Sequence, residues 1–332
     1  MQLEIIPAVK DNHGRTIDYL RLAITDRCNL RCHYCMPASG LDWLKRDDLL
    51  SYEEIERLLP VFASLGIRKL RFTGGEPFMR RDFDKLLIRV AESRLFESIT
   101  ITTNGVLTAP FVPLMKELNI HSVNLSLDTL DATRFASITR RDVFPDVMGT
   151  LDALVDAGIR TKINAVIMEG VNEEDIIPLA SLSKELPIDV RFIEEMPFNG
   201  RGDRHAVKWN RKGLIEALEN GFGKLRRLTD EPNTTSENYA VEGHLGSVGI
   251  IAAWSRTFCG TCNRVRLTPS GEMKTCLFGK NEVNLRDLLR KQYSDQEIAT
   301  AIEHAVLHKK KNGQEAEAAR TPVEESMATI GG

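Results

Sequence analysis

Lys69-Leu70-Arg71-Phe72-Thr73-Gly74-Gly75 reads as a β-strand ending in a glycine turn, and Ser98-Ile99-Thr100-Ile101-Thr102-Thr103-Asn104-Gly105 repeats that design. Between them, Asp82–Ser93 carries its apolar residues at helical spacing. Strand, helix, strand is the repeating unit of a parallel sheet. The unit recurs in both directions. Upstream, Ile17–Thr25 alternates and ends in a polar turn. Ser51 then opens a helix, Glu54 completes a capping box, and Gly66 stops it. Downstream, Ser122–Leu127, Thr161–Met168 and Ile188–Ile193 read as strands, and Asp146–Ala157 and Glu173–Lys184 as helices. Six βα units fall short of the eight that close a full barrel. The expected fold is α/β: a partial (β/α)6 TIM-type barrel, with a smaller C-terminal α+β region closing its open side. The expected domains are 1–197 and 198–332.

After Pro197 the pattern changes. Asn199–Asn210 is a polar loop. Lys224–Arg227, Tyr239–Val241, Val248–Ala252 and Val265–Leu267 read as short strands. Lys309–Lys311 looks like a solvated turn, and the polar tail from Gln314 reads as a mobile end. A 42% hydrophobic and 27% charged composition is that of a soluble globular chain, and a net charge of -3 offers no global basic field for nucleic acid. Met1–Arg15 lacks a signal-peptide core, and no apolar run reaches the roughly 18 residues that span a bilayer. The expected location is therefore cytoplasmic, away from membranes.

Six cysteines fall into two groups, Cys28, Cys32, Cys35 and Cys259, Cys262, Cys276. Three plus three pairs poorly as disulfides, which are also rare in a cytosolic chain. Thiolates prefer soft metals and iron–sulfur clusters. The first three lie within eight residues on one loop after a strand. Three ligands can hold three irons of a cubane and leave the fourth open. A zinc site with His33 as fourth ligand is the plainer alternative. The second three lack a nearby histidine, the nearest being His244 upstream. Another open cluster explains that gap, and a fold-stabilising metal is the alternative. Behind Cys262 come Arg264 and Arg266, which point to one side of a strand and suit an anionic, phosphorylated substrate.

The Cys-x3-Cys-x2-Cys spacing with Tyr34 before the last cysteine, followed by Gly74-Gly75-Glu76-Pro77 after the second strand, resembles the radical S-adenosylmethionine superfamily. The resemblance implies that the open iron chelates S-adenosylmethionine. One electron then cleaves its carbon–sulfur bond to a 5′-deoxyadenosyl radical, which abstracts a substrate hydrogen. It also implies cofactor contacts at Tyr34, Gly75, Ser126 and Met196.

A narrower pattern resembles the GTP 3′,8-cyclase family of molybdenum cofactor biosynthesis. It runs through Arg21, Asp26-Arg27-Cys28-Asn29-Leu30-Arg31-Cys32, Arg71-Phe72-Thr73-Gly74-Gly75-Glu76-Pro77, Thr102-Thr103-Asn104-Gly105, Asn124-Leu125-Ser126-Leu127-Asp128, Lys162-Ile163-Asn164, Arg191-Phe192-Ile193-Glu194 and the terminal Gly331-Gly332. That likeness implies a 4Fe-4S cluster on each cysteine group and a GTP site of Arg21, Arg71, Thr102, Lys162, Arg191, Arg264, Val265 and Arg266. Gly331 and Gly332 would join Arg264 and Arg266 at the reacting centre. The second open iron would hold guanine, and the ribose 3′ radical would attack C8. The family further implies a flavodoxin- or ferredoxin-like electron donor and a downstream pyranopterin-forming enzyme; a homodimer is one assembly it allows. Two readings compete. A two-cluster radical enzyme acting on a peptide usually carries more C-terminal cysteines. An electron-transfer or zinc-stabilised protein leaves the glycine motif and the basic residues without a purpose.

Overall fold

Helix Tyr52–Ser64 begins as the sequence requires: Ser51 accepts from the Glu54 amide while the Glu54 carboxylate accepts from the Ser51 amide. The computed structural model describes residues 8–37, 40–196, 208–319 and 326–331. Among them are twelve strands: β1 (Tyr19–Ala23), β2 (Lys69–Thr73), β3 (Ser98–Thr103), β4 (Ser122–Ser126), β5 (Thr161–Ile167), β6 (Asp189–Glu194), β7 (Arg226–Arg227), β8 (Glu237–Ala240), β9 (Ser247–Ile251), β10 (Arg264–Leu267), β11 (Glu272–Lys274) and β12 (Val283–Asn284). The first six match the expected strands to within two residues at each end.

Contacts divide the chain into two compact units. One holds residues 1–29, 41–101 and 259–332; the other holds 30–40 and 102–258. In the first, β1, β2 and β3 pair in parallel in chain order. Strand β10 pairs parallel to the other edge of β1, and β11 and β12 follow antiparallel. In the second, β4, β5 and β6 pair in parallel, β9 pairs parallel to β6, and β8 and β7 follow antiparallel. This α/β class is the expected one. The expected division at 197/198 follows the sequence, whereas these units follow contacts, and the described residues beyond 197 fall in both. They cover the edges of β1 and β6, whose unpaired amides and carbonyls would otherwise face solvent.

One side of each sheet is packed with apolar residues. Leu20, Leu22, Leu70, Phe72 and Ile101 are fully buried in one unit, and Val123, Leu125, Ile163, Val190 and Phe192 in the other. The opposite parity carries Arg21, Arg71, Lys162 and Arg191, so strand alternation separates core from chemistry. No helix among the described residues is long and apolar enough to cross a membrane.

Two local expectations need correction. In the expected solvated turn Lys309–Lys311, Lys310 and Lys311 are exposed, but Lys309 is 2% exposed because its ammonium is held by backbone carbonyls of Arg264 and Thr275. The tail contains helices Gly313–Ala318 and Met327–Ile330, with Ile330 buried, so its described part is packed structure. Most of the loop Asn199–Asn210, and Gly332, lie outside the described residues.

Candidate functional site

The loop of Cys32 and Cys35 is fastened to the end of helix Ala132–Thr139. The amides of Arg31 and His33 donate to the carbonyls of Thr139 (2.9 Å) and Ile138 (3.1 Å), which the helix C-terminus leaves unpaired. Arg140 donates to the carbonyls of Arg31 and Met36. Cys32 then turns the chain, its carbonyl accepting from Cys35 and Met36. Tyr34 donates to Asp128 Oδ2 at 2.9 Å, and Asp128 Oδ1 accepts from the Val166 amide at 2.8 Å. Burial pushes the Asp128 carboxyl up to about 6, against the pull of those two bonds. Burial, Asp128 and the Cys32 and Cys35 sulfurs push the Tyr34 phenol well above its ordinary value. Tyr34 is thus a brace of the cysteine loop, whatever else it touches.

In the other unit, the glycine turn after β2 is stitched to the chain just before Cys28. Gly75 and Glu76 amides donate to Thr25 and Arg27 carbonyls, both at 2.7 Å. A Cβ on Gly75 would lie 2.2 Å from the Arg27 oxygen. Backbone must approach backbone here, and only glycine allows it. The turn therefore helps to position the Cys28 approach, a task beyond the cofactor contact expected from the sequence.

Next to it runs a row of cations. Register places Lys274 beside Arg266, Arg266 beside Arg21, Arg21 beside Arg71, and Arg71 beside Thr100. One residue pair lower, Arg264, Tyr19 and Lys69 align. Arg264 and Arg266 are both 8% exposed and Lys274 is fully buried. Arg21 and Arg71 stand over the Tyr19 ring at 5.9 and 5.5 Å. Burial, Arg266 and Arg71 push the Arg21 guanidinium well below its ordinary value. Burial and Arg264 bring Arg266 down to about 10. Burial alone would raise the Tyr19 phenol, yet Arg71 and Arg21 lead in lowering it. The Arg21 Nε is enclosed and has no hydrogen-bond partner among the described residues. Desolvated cations set side by side form a site for a polyanion.

The second cysteine group borders this row. None of the six cysteines forms a disulfide among the described residues. Burial would raise Cys262, but Lys309 and Arg264 outweigh it and bring the thiol down to about 6. The Cys276 and Cys262 sulfurs both act on Arg266. Among the described residues no three His, Cys, Asp or Glu side chains close around a single ion. A cubane needs a wider arrangement, one thiolate at each of three corners. A thiol depressed toward thiolate, on three soft donors beside buried cations, fits such a cluster. Arg266 also donates to the Gly331 carbonyl. Gly331 has φ +84°, and a Cβ there would meet the Ala23 Cβ at 2.7 Å. The tail thus reaches the arginine row.

The remaining expected residues lie in the other unit. Thr102 accepts from Asn124 Nδ2 at 3.3 Å, and Arg191 donates to Asn124 Oδ1 at 2.7 Å. Lys162 stands 3.9 Å from Asp189, so part of its charge is already answered. Ser126 and Met196 are half-buried near the ends of β4 and β6. Val265 is 1% exposed, and its side chain alternates away from those of Arg264 and Arg266. Lys69 and Lys274 were missed. The i, i+2 rule that pairs Arg264 with Arg266 also pairs Lys69 with Arg71; Lys274 needed the register.

Residues 22–182 match the Radical SAM superfamily, and 188–315 match Molybdenum Cofactor Synthesis C. The chain is 40% identical over 307 residues to the mitochondrial GTP 3′,8-cyclase of Arabidopsis thaliana, covering 90% of this chain and 77% of that one. It is 39% identical over 306 residues to the GTP 3′,8-cyclase of Clostridium perfringens, covering 91% and 93%. Against molybdenum cofactor biosynthesis protein 1 of Drosophila melanogaster it is 43% identical over 314 residues. That match spans 92% of this chain but 54% of the relative, about half its length. Among solved structures, Streptococcus suis SuiB bound to S-adenosylmethionine matches with a TM-score of 0.61 at 17% identity, covering 86% of this chain and 68% of that one. That likeness is one of fold.

Proposed function

This chain belongs to the GTP 3′,8-cyclase family of radical S-adenosylmethionine enzymes, and on that premise we propose how its residues divide the reaction. Cys28, Cys32 and Cys35 would hold the cluster that delivers an electron to S-adenosylmethionine, and that cofactor would supply the radical for the ribose 3′ hydrogen of GTP. Everything else is binding and placement. The carrying observation is the row of neighbouring cations Lys274, Arg266, Arg21 and Arg71, in which the enclosed Arg21 Nε has no hydrogen-bond partner among the described residues. A triphosphate brings about four negative charges and many acceptor oxygens to such a row. Arg21, Arg71, Arg264 and Arg266 take the phosphates, and the family likeness assigns further GTP contacts to Lys162, Arg191 and Thr102. Cys259, Cys262 and Cys276 would hold the second cluster, whose open iron would offer the base a coordination site. Tyr34, Gly75, Ser126 and Met196 hold the S-adenosylmethionine. Gly331 and Gly332 bring the tail to the reacting centre through Arg266. Orienting ribose and purine for one intramolecular bond is the main catalytic contribution of this chain, since proximity alone is worth about 7–11 kcal/mol.

A flavodoxin- or ferredoxin-like donor supplies the electron, and the product passes to a pyranopterin-forming enzyme. A peptide substrate, the competing reading, leaves the cation row without a task. The test is anaerobic turnover of the reconstituted protein with GTP, S-adenosylmethionine and a reductant. Formation of 5′-deoxyadenosine together with a 3′,8-cyclised guanosine triphosphate is the expected outcome. Cofactor cleavage that stays the same with and without GTP, and no cyclised product, would remove the proposal.

A further inference from the structure

The ladder between β10 and β11 ends at Arg266 and Lys274. Continued by one and two residues, that register would set Val265 opposite Thr275 and Arg264 opposite Cys276. The ladder does not continue. The ammonium of Lys309 enters there and donates to the Arg264 carbonyl (2.9 Å) and to the Thr275 carbonyl. One side chain thus spans the two segments that carry Cys262 and Cys276. Its acceptors are neutral carbonyl oxygens, so its charge is not balanced by them. That charge therefore stands two residues after Cys262 in one segment and one residue before Cys276 in the other.

The next two residues of the same loop reach the third cysteine. Arg15 donates to the Cys259 carbonyl (3.0 Å), to the Lys311 carbonyl (2.7 Å) and to the Lys310 carbonyl (2.7 Å). Asp11, 5% exposed, fixes Arg15 through a 2.6 Å ion pair and also accepts from the Arg15 and His13 amides. Residues Lys309–Lys311 therefore join the chain at Cys259, beyond Cys262 and before Cys276.

We propose that Lys309 is the positioning residue of the second thiolate group: its two carbonyl bonds, with Arg15 bracing Cys259, fix the spacing of the three sulfurs, and its charge sets the reduction potential of the cluster they hold. The proposal rests on the reading that this group binds a 4Fe-4S cluster. A neutral carbonyl crosslink would serve spacing alone, while a cation beside a negatively charged cluster favours its reduced form.

The test uses the full chain with Cys28→Ser, Cys32→Ser and Cys35→Ser, which leaves only the second group. After anaerobic reconstitution, about four irons per chain are expected in this parent. If the parent binds no iron, the cluster reading itself fails, separately from the role of Lys309. On the parent, Lys309→Gln keeps donors for the carbonyls and removes the charge. It retains the iron, and its cluster titrates at a lower midpoint potential. Lys309→Arg restores the parent's potential. Lys309→Met loses bonds and charge and reconstitutes with at most half the iron, while apo far-ultraviolet circular dichroism reports whether it folds. Lys309→Gln with the parent's midpoint potential overturns the electrostatic role. A folded Lys309→Met with the parent's iron content overturns the spacing role.

Discussion

Replacing Gly331 by alanine tests the tail directly. The residue sits at φ +84°, where a side chain costs about 1–2 kcal/mol. The new Cβ would lie 2.7 Å from Ala23 Cβ and 3.2 Å from Thr73 Cγ2. Forcing a methyl into filled space costs about 1–3 kcal/mol. Together the penalty is about 2–5 kcal/mol, or roughly a 30- to 4,000-fold loss of the docked tail. Opposing it are the burial of Ile330, worth about 2–3 kcal/mol, and the charged hydrogen bond from Arg266, worth about 1.5–3 kcal/mol. Ordering the tail backbone costs about 1–2 kcal/mol per residue, so docking has little to spare. The substitution should release the tail and leave the rest folded. Hydrogen exchange reads this at the Gly331 amide, which donates to the Met327 carbonyl at 3.1 Å. Protection there is expected to fall at least about tenfold, and cyclised product with it, while the iron content stays at about eight per chain. Wild-type protection together with wild-type product formation would refute the reasoning.

Three further outcomes follow from the same geometry. Arg264→Ala and Arg266→Ala each weaken GTP binding at least tenfold in anaerobic calorimetry, with S-adenosylmethionine cleavage retained. GTP affinities matching the parent's in both would remove their phosphate role. Arg21→Met lowers GTP affinity yet raises the melting temperature of the apoprotein by a few degrees, because it removes a cation that burial, Arg266 and Arg71 all disfavour; a lower melting temperature contradicts the picture. Asp128, raised to about 6 in the fold from an ordinary 3.8, binds its proton more tightly when folded. Its stabilisation is therefore complete below about pH 4 and fades as pH rises through 6, and Asp128→Asn should flatten that slope in denaturant titrations from pH 4 to 7. An unchanged slope means that the titrating group lies elsewhere.

Much of this protein was legible locally. Capping at Ser51, the glycine turns after β2 and β3, and the parity that puts Arg264 with Arg266 are properties of neighbours in the chain. The two cysteine groups were legible for the same reason, since thiol chemistry and short spacing need no distant partner. Lys309 was misread because nothing within a few residues of it shows what it meets. Only the tertiary structure brings Arg264 and Thr275 to its ammonium.

The sequence by itself determined the βα order, the side of each strand that carries charge, and the two groups of thiols proposed to bind metal. Tertiary structure alone decided which strand lies beside which. Strand β10, about 240 residues after β1 in the chain, pairs with it in parallel, and that pairing sets Arg21 between Arg266 and Arg71. Register between distant strands is fixed by edge pairing and core burial, which no local window contains. The same long-range packing returns the C-terminal tail to Arg266, where local composition alone reads a free end and only the family likeness places the tail.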